Sequence, residues 1–280
     1  MTDHEGVFTL TAQAMAMDFT LTVVGCADKE SATSVMSFIE SDLRWVDEVF
    51  STYREDSWIS RINRGEAVVA DAPPAVAEVL DLCEQFREET GGWFDAREPL
   101  SEPASRSPGA SRAGASRIDP TGIVKTWAME RSRWRLSLLQ AEGWSWGCAG
   151  DLSVHGQAPS DEGWRIGIGD PRHEPGPQQR SLAAVRIGQD RSASLATSGV
   201  GHRSGHIWAP QRGKGTSTVV QATVIGRDLV QCDAWATAIV AGGAGVAESA
   251  HALGMDVLAL KSRGDKVTSV STPGWRTRRL

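Results

Sequence analysis

From Trp144 to Ile225 the sequence turns to short strands: Trp164–Ile168, Ala183–Ile187, Ser192–Ala196, His206–Trp208 and Thr218–Ile225. Helical patterns stand before and after this run and do not alternate regularly with the strands. That arrangement predicts an α+β fold on antiparallel sheet and excludes a doubly wound one. Val7–Ala12 and Phe19–Val24 alternate as two further strands, joined across a Met15–Asp18 turn. Val35, Phe38, Ile39, Leu43, Val46, Val49 and Phe50 recur at helical spacing, which predicts an amphipathic helix over Lys29–Phe50. Pro73–Pro74 opens a second helix that Gly91–Gly92 stop, and a third follows Asp119. A helix over Asp228–Val240, a short one over Ala244–Leu253, and strands at Val257–Leu260 and Val267–Val270 complete the chain. Ser101–Ser116 has no apolar pattern and predicts a flexible loop, taken as 101–117, inside a single domain over residues 1–280.

Composition excludes several function classes. A formal net charge of -6 argues against nonspecific attraction to nucleic acid or anionic membrane. The Arg276–Arg279 cluster reads as a solvated tail. No apolar run comes close to the ~20 residues that span a bilayer, and Met1–Thr11 lacks the apolar core of a signal peptide. Cys26, Cys83, Cys148 and Cys232 have no C-x-x-C spacing, which predicts reduced thiols and a cytoplasmic setting. The 11 Trp against one Tyr read chiefly as core and surface packing. No G-x-G-x-x-G or G-x-x-x-x-G-K-[ST] lies in strand–turn–helix context.

Five short patterns carry chemistry. Asp233 and Thr237 stand one helical turn apart, so a carboxylate and a hydroxyl can reach one point. Such a pair suits Mg²⁺, which takes few protein oxygens and fills its octahedron with water and phosphate; a surface Asp and a Thr bonding its own helix give the same spacing. Asp119-Pro120 reads as an N-cap and first helical residue, with Lys125 about a turn and a half in. Its free N–H groups can cap or can bind phosphate. The remaining three are the polar loop Ser51–Ser57 with Asn63, the Gly92-Trp-Phe-Asp95 break, and Thr197-Ser-Gly199 followed by His206-Ile-Trp-Ala-Pro210. A lone His such as His206 serves structure or catalysis.

Taken in order, these patterns resemble the FAD:protein FMN transferase family, the ApbE-like proteins. Its members carry Met-Gly-Thr, Ser-x-Tyr with a later Asn, Ala-Phe-Asp, Asp-x-Gly-Gly-Ile-x-Lys-Gly, Gly-Gly-Asp, Thr-Ser-Gly, His-Ile-x-Asp-Pro and Asp-Ala-x-x-Thr. Here they correspond to Met15-Ala-Met17, Ser51-Thr-Tyr53 to Asn63, Trp93-Phe-Asp95, Asp119–Lys125, Ala149-Gly-Asp151, Thr197-Ser-Gly199, His206–Pro210 and Asp233–Thr237. Trp164–Pro171 is similar to a further family stretch, and the match runs from about residue 14 to 243.

The resemblance implies Mg²⁺-dependent transfer of the FMN half of FAD onto a Thr or Ser hydroxyl of an acceptor protein, with release of AMP. FAD pyrophosphatase activity and non-catalytic flavin binding are its alternatives. By the same resemblance Met15, Tyr53, Trp93, Phe94, Asp95, Asp119, Lys125 and Ile207 contact FAD. Asp233, Thr237 and the backbone oxygen of Gly122 hold the metal. His206 is the candidate base, ahead of Asp151 and Asp119. Ala16, Met17, Thr126 and Ala209 depart from the motifs, and the family's longer segment between Leu100 and Asp119 is reduced to the Ser101–Ser116 stretch.

Overall fold

A computed structural model describes residues 6–26, 28–99, 116–173, 181–189, 191–200, 217–263 and 266–280. The chain opens with the hairpin β1 (Val7–Ala14) and β2 (Met17–Val24), followed by the helices α1 (Lys29–Phe50), α2 (Trp58–Asn63) and α3 (Pro74–Glu89). A small ribbon, β3 (Arg97–Pro99) with β4 (Ser116–Ile118), leads into α4 (Thr121–Leu136). Then come β5 (Gly143–Cys148), β6 (Asp151–Gly156), the separate hairpin β7 (Trp164–Gly169) and β8 (Ser181–Ile187), β9 (Ala193–Gly199) and β10 (Val219–Gly226). The last elements are α5 (Leu229–Gly242), α6 (Val246–Ala252), β11 (Asp256–Arg263), β12 (Lys266–Ser271) and α7 (Pro273–Arg278).

Eight of these strands form one sheet in the order β1-β2-β5-β6-β9-β10-β11-β12, antiparallel at every step. The predicted α+β architecture on antiparallel sheet is therefore what the chain adopts. Local chemistry accounts for the boundaries. The Asp28 carboxylate accepts from the Glu30 and Ser31 N–H groups and so starts α1, and Pro74 is the first residue of α3. Ala14 still pairs with Met17, so the first hairpin turns on Met15 and Ala16 alone, with φ of 52° and 57°. The predicted four-residue turn is thus two residues, in the left-handed region usual for such tight hairpins.

The sheet is buried on both faces. In β10, Ala222 and Val224 join the larger core under α1, α3, α4 and α5, while Ile225 joins a smaller one. In β11, Val257 and Ala259 face the first core and Leu258 and Leu260 the second. Alternation by two residues feeds both layers from the same strands. The second core is closed by the β7–β8 hairpin and by Trp275 of α7, which is 1% exposed. The C-terminal stretch is consequently no solvated tail: Trp275 anchors it, Arg278 donates to Asp256 at 2.8 Å, and Arg279 bridges to Val185. Trp146 and Trp235 are also fully buried, whereas Trp134 is exposed, so the tryptophans divide between core and surface as composition implied. All four cysteines are free and buried. No helix among the described residues is long and apolar enough to cross a membrane.

Candidate functional site

The polar residues singled out in sequence converge where α4 and α5 pack together over β6 and β9. Lys125 sits in the second turn of α4, and its Nζ reaches Asp151 Oδ2 at 2.6 Å. Asp151 is placed by the two-residue turn Ala149-Gly150, whose φ values of 49° and 93° close the β5–β6 hairpin just before it. Its other oxygen, Oδ1, accepts the Thr197 N–H of β9 at 3.0 Å. The carboxylate is 1% exposed, so it ties a helix to two strands inside the protein. Burial alone would lower the Lys125 ammonium, but Asp151 and Asp233 outweigh it and hold that ammonium above its ordinary value.

Asp233 lies one residue further along the same polar seam. The Thr126 hydroxyl, also buried, donates to Asp233 Oδ2 at 2.9 Å. Burial, reinforced by the charge of Asp151, pushes the Asp233 carboxyl up to about 8. One turn on in α5, Thr237 Oγ1 shares a 2.9 Å hydrogen bond with Ser198 Oγ, and Thr197 Oγ1 shares another with Thr223 Oγ1. Asp233 and Thr237 occupy one face of α5, and Gly122 and Thr126 one face of α4. The Thr126–Asp233 bond joins the two faces.

This donor set fits a hard cation. A carboxylate, a hydroxyl and a backbone carbonyl are the oxygen ligands Mg²⁺ prefers, and they leave room for water and phosphate. Among the described residues no group of three or more His, Cys, Asp or Glu side chains forms a closed metal cluster.

The aromatic residues pack along the neighbouring rim. Phe94 is buried edge-to-face on Phe86, and its ring approaches Gly122 so closely that a Cβ there would sit 3.2 Å away. Trp93 covers Gly242 at the end of α5, where a Cβ would come within 2.6 Å of its ring. A side chain at position 242 would force Trp93 to shift, and one at position 122 would press on Phe94. Asp95 accepts from Arg97 N at 2.9 Å and Arg97 Nε at 3.0 Å. Met15 is half-buried on the helix-side core. Tyr53, on the loop after α1, is 92% exposed.

Asp119 differs in detail from its expected place. The N-cap position of α4 belongs to Pro120, which has no side chain to offer. Asp119 stands one residue earlier and reaches over, accepting from Thr121 N at 3.1 Å and Thr121 Oγ1 at 2.6 Å. Proline fixes the turn and aspartate still satisfies a first-turn donor. Asn63 holds this segment by a two-point clamp, donating to Ile118 O and accepting from Ile118 N, each at 2.8 Å. Asn63 is also the last residue of α2, a helix that the polar loop reading did not contain. His206 and Ile207 lie outside the described residues, as does the predicted Ser101–Ser116 loop apart from Ser116, which begins β4.

Three members of the cluster were missed or underweighted in sequence. Asp151 ranked only as a lesser base, although the Ala-Gly-Asp turn signals it. Thr126 registered merely as a departure from a motif glycine, and nothing local marks Ser198 as the partner of Thr237.

A fold with one antiparallel sheet, flanking helices and this ordered polar seam defines a class that comparison then identifies. A sequence model of the ApbE family matches residues 15–102 and 102–258. The chain belongs to the ApbE family. Among solved structures it is similar to the flavin transferase ApbE from Vibrio cholerae, with 20% identity and a TM-score of 0.75 over 97% of this chain and 99% of that one. It is also similar to the flavinyl transferase ApbE of Pseudomonas stutzeri, with 21% identity, TM-score 0.75 and coverage of 97% and 96%. The ApbE protein of Thermotoga maritima gives 19% identity, TM-score 0.76 and coverage of 97% and 99%. No curated protein matched the sequence.

Proposed function

We propose that this protein transfers the FMN half of FAD to a threonine or serine hydroxyl of an acceptor protein and releases AMP. Family membership supports flavin transfer. The observation that carries the reading to particular residues is the Thr126–Asp233 bond, which joins the α4 face bearing Gly122 to the α5 face bearing Thr237. In the reaction the acceptor oxygen bonds to the FMN-side phosphorus, the bridging P–O bond breaks, and AMP departs with the electron pair. Asp233, Thr237 and the Gly122 carbonyl would hold Mg²⁺. When bound, the ion supplies charge neutralisation at the pyrophosphate.

The chain's own residues supply position and charge. Lys125, fixed by Asp151, presents a buried cation beside the α4 N-terminus, where phosphate is favoured. Trp93 and Met15 offer apolar surface for the flavin ring, and Phe94, assigned to the same contact, is 3% exposed and packs on Gly122. Asp95, Asp119, Tyr53 and Ile207 are assigned to the same nucleotide, and His206 takes the acceptor proton. Four free, buried thiols fit a cytoplasmic enzyme.

The test is incubation with FAD and Mg²⁺, chromatography of nucleotides, and mass measurement of candidate acceptors. The reading expects AMP in step with an FMN-sized mass gain on the acceptor. Asp233→Asn should depress AMP release and Mg²⁺ affinity together while the protein stays folded. Thr237→Val should show a milder loss that excess Mg²⁺ recovers. AMP formed without any acceptor gain would identify a pyrophosphatase instead. Parental AMP release and metal dependence in Asp233→Asn would refute the metal assignment.

A further inference from the structure

At the other end of β9, away from Thr197–Gly199, the chain forms a cleft of about 590 Å³ bordered by the β10–α5 and α6–β11 turns and by α7. That volume lies within the range of small-molecule sites. Its floor is apolar: Ile187, Ile225 and Met255 line it and are otherwise almost wholly buried. Among the described residues three guanidinium groups, Arg191, Arg227 and Arg278, line it as well, against one carboxylate, Asp256. Arg278 is committed, since its Nε donates to Asp256 at 2.8 Å. The side chains of Arg191 and Arg227 have no hydrogen bond or ion pair among the described residues.

The chain carries 35 acidic against 29 basic residues, and many of its arginines pair with a carboxylate, as in Arg44–Glu40, Arg87–Glu84, Arg135–Asp42 and Arg186–Glu162, whereas Arg61, Arg131 and Arg165, like Arg191 and Arg227, do not among the described residues. Among the described lining residues, positive charge exceeds negative over an apolar floor. A guanidinium presents a planar fork that matches a phosphate or carboxylate. The place is separate from the polar seam. Ala193 borders the cleft and Gly199 ends the same strand at the other side, a span of ~20 Å at the usual rise per residue.

We propose that this cleft is a second ligand site, for a small organic anion. Arg191 and Arg227 hold its phosphate or carboxylate, and its apolar body rests on Ile187, Ile225 and Met255. The site stands independently of the proposed flavin transfer, so either can fail alone.

Phenyl phosphate and benzoate are suitable probes, with phenol and inorganic phosphate as controls that keep only one half of the chemistry. Binding is read by calorimetry and by the amide resonances of Gly226 and Gly254, which flank the cleft. At least one of the two aromatic anions should shift these glycines and bind about tenfold or more tighter than either control. Which anion does so tells phosphate from carboxylate recognition. Arg191→Gln with Arg227→Gln should weaken that binding at least tenfold, with Gly150 and Gly199 undisturbed throughout. The proposal is overturned if neither anion shifts Gly226 and Gly254, or if the double variant binds as the parent does.

Discussion

Strand β9 connects two polar regions built on different terms. At its Thr197–Gly199 end, the charged and hydroxyl groups of the polar seam are buried or half-buried and already bonded to one another: Lys125 to Asp151, Thr126 to Asp233, Ser198 to Thr237. At its Ala193 end, two guanidinium groups stand exposed and, among the described residues, unpaired around an apolar floor. The first region spends its polar groups on one another and so holds its geometry before any ligand arrives. The second keeps its charge solvated, and its side chains are free to be ordered by whatever binds. A fixed arrangement suits chemistry, where orientation governs the rate. A solvated pair of arginines suits recognition of a charge.

Stability measurements should separate the two regions sharply. Lys125→Met removes the only cation within bonding distance of a carboxylate that is 1% exposed, among the described residues. Breaking a buried pair from one side strands the remaining charge, and the expected loss is about 3–5 kcal/mol in chemical denaturation. Lys125→Met with unchanged unfolding free energy would mean that Asp151 is not buried as a charge at all. Thr126→Val is milder. It keeps the shape and removes one donor to Asp233, at a cost of about 1–3 kcal/mol, and Thr126→Ser should recover most of it.

The thiols provide a probe of the same interior. Burial pushes the Cys148 thiol up to about 11, although Lys125 opposes the rise. The sign is that of an acid whose charged form is disfavoured: the reactive thiolate is scarce below that pH and grows as pH rises through it. At pH 8 the thiolate fraction is roughly a thousandth, against about a quarter for an ordinary thiol near 8.5. Alkylation by iodoacetamide, followed by peptide mass, should find Cys148 essentially unlabelled at pH 8 and increasingly labelled toward pH 11. Cys83, raised to about 12 by burial, should lag further behind. Rapid labelling at pH 8 would show that the core opens readily.

The sequence made the frame of the molecule readable and its joinery much less so. The helix from about Lys29 to Phe50 is legible from its apolar repeat, because amphipathic helices and their caps are local chemistry. The antiparallel sheet was readable from the missing helices between strands. The C-terminal helix was not, since six residues rich in arginine look solvated until Trp275 is seen sealing the second core. The same division runs through the site. Asp233 and Thr237 share a helix face, and spacing shows it. That Asp233 meets Thr126, 107 residues away, depends on how two helices pack. So does the meeting of Thr237 with Ser198, and no periodicity encodes either.

The smallest expected effect is the one that most sharpens the contrast between the ends of β9. Replacing both Arg191 and Arg227 by Gln removes two positive charges from the unliganded protein, yet should change its unfolding free energy by no more than about 0.5 kcal/mol. Neither side chain loses a bond on substitution, because neither has one among the described residues. The two guanidinium groups repel each other and Arg278 only weakly, since water and salt screen exposed charges. Glutamine keeps part of the aliphatic stem, so little apolar cover is lost. If anything, relief of repulsion should tip the balance slightly toward stability at low ionic strength, a gain that 0.5 M salt would erase. The measurement is urea denaturation of parent and double variant at two salt concentrations. A loss above 2 kcal/mol would show that these arginines hold the α6–β11 turn in place, and the two ends of the strand would then differ in exposure but not in purpose.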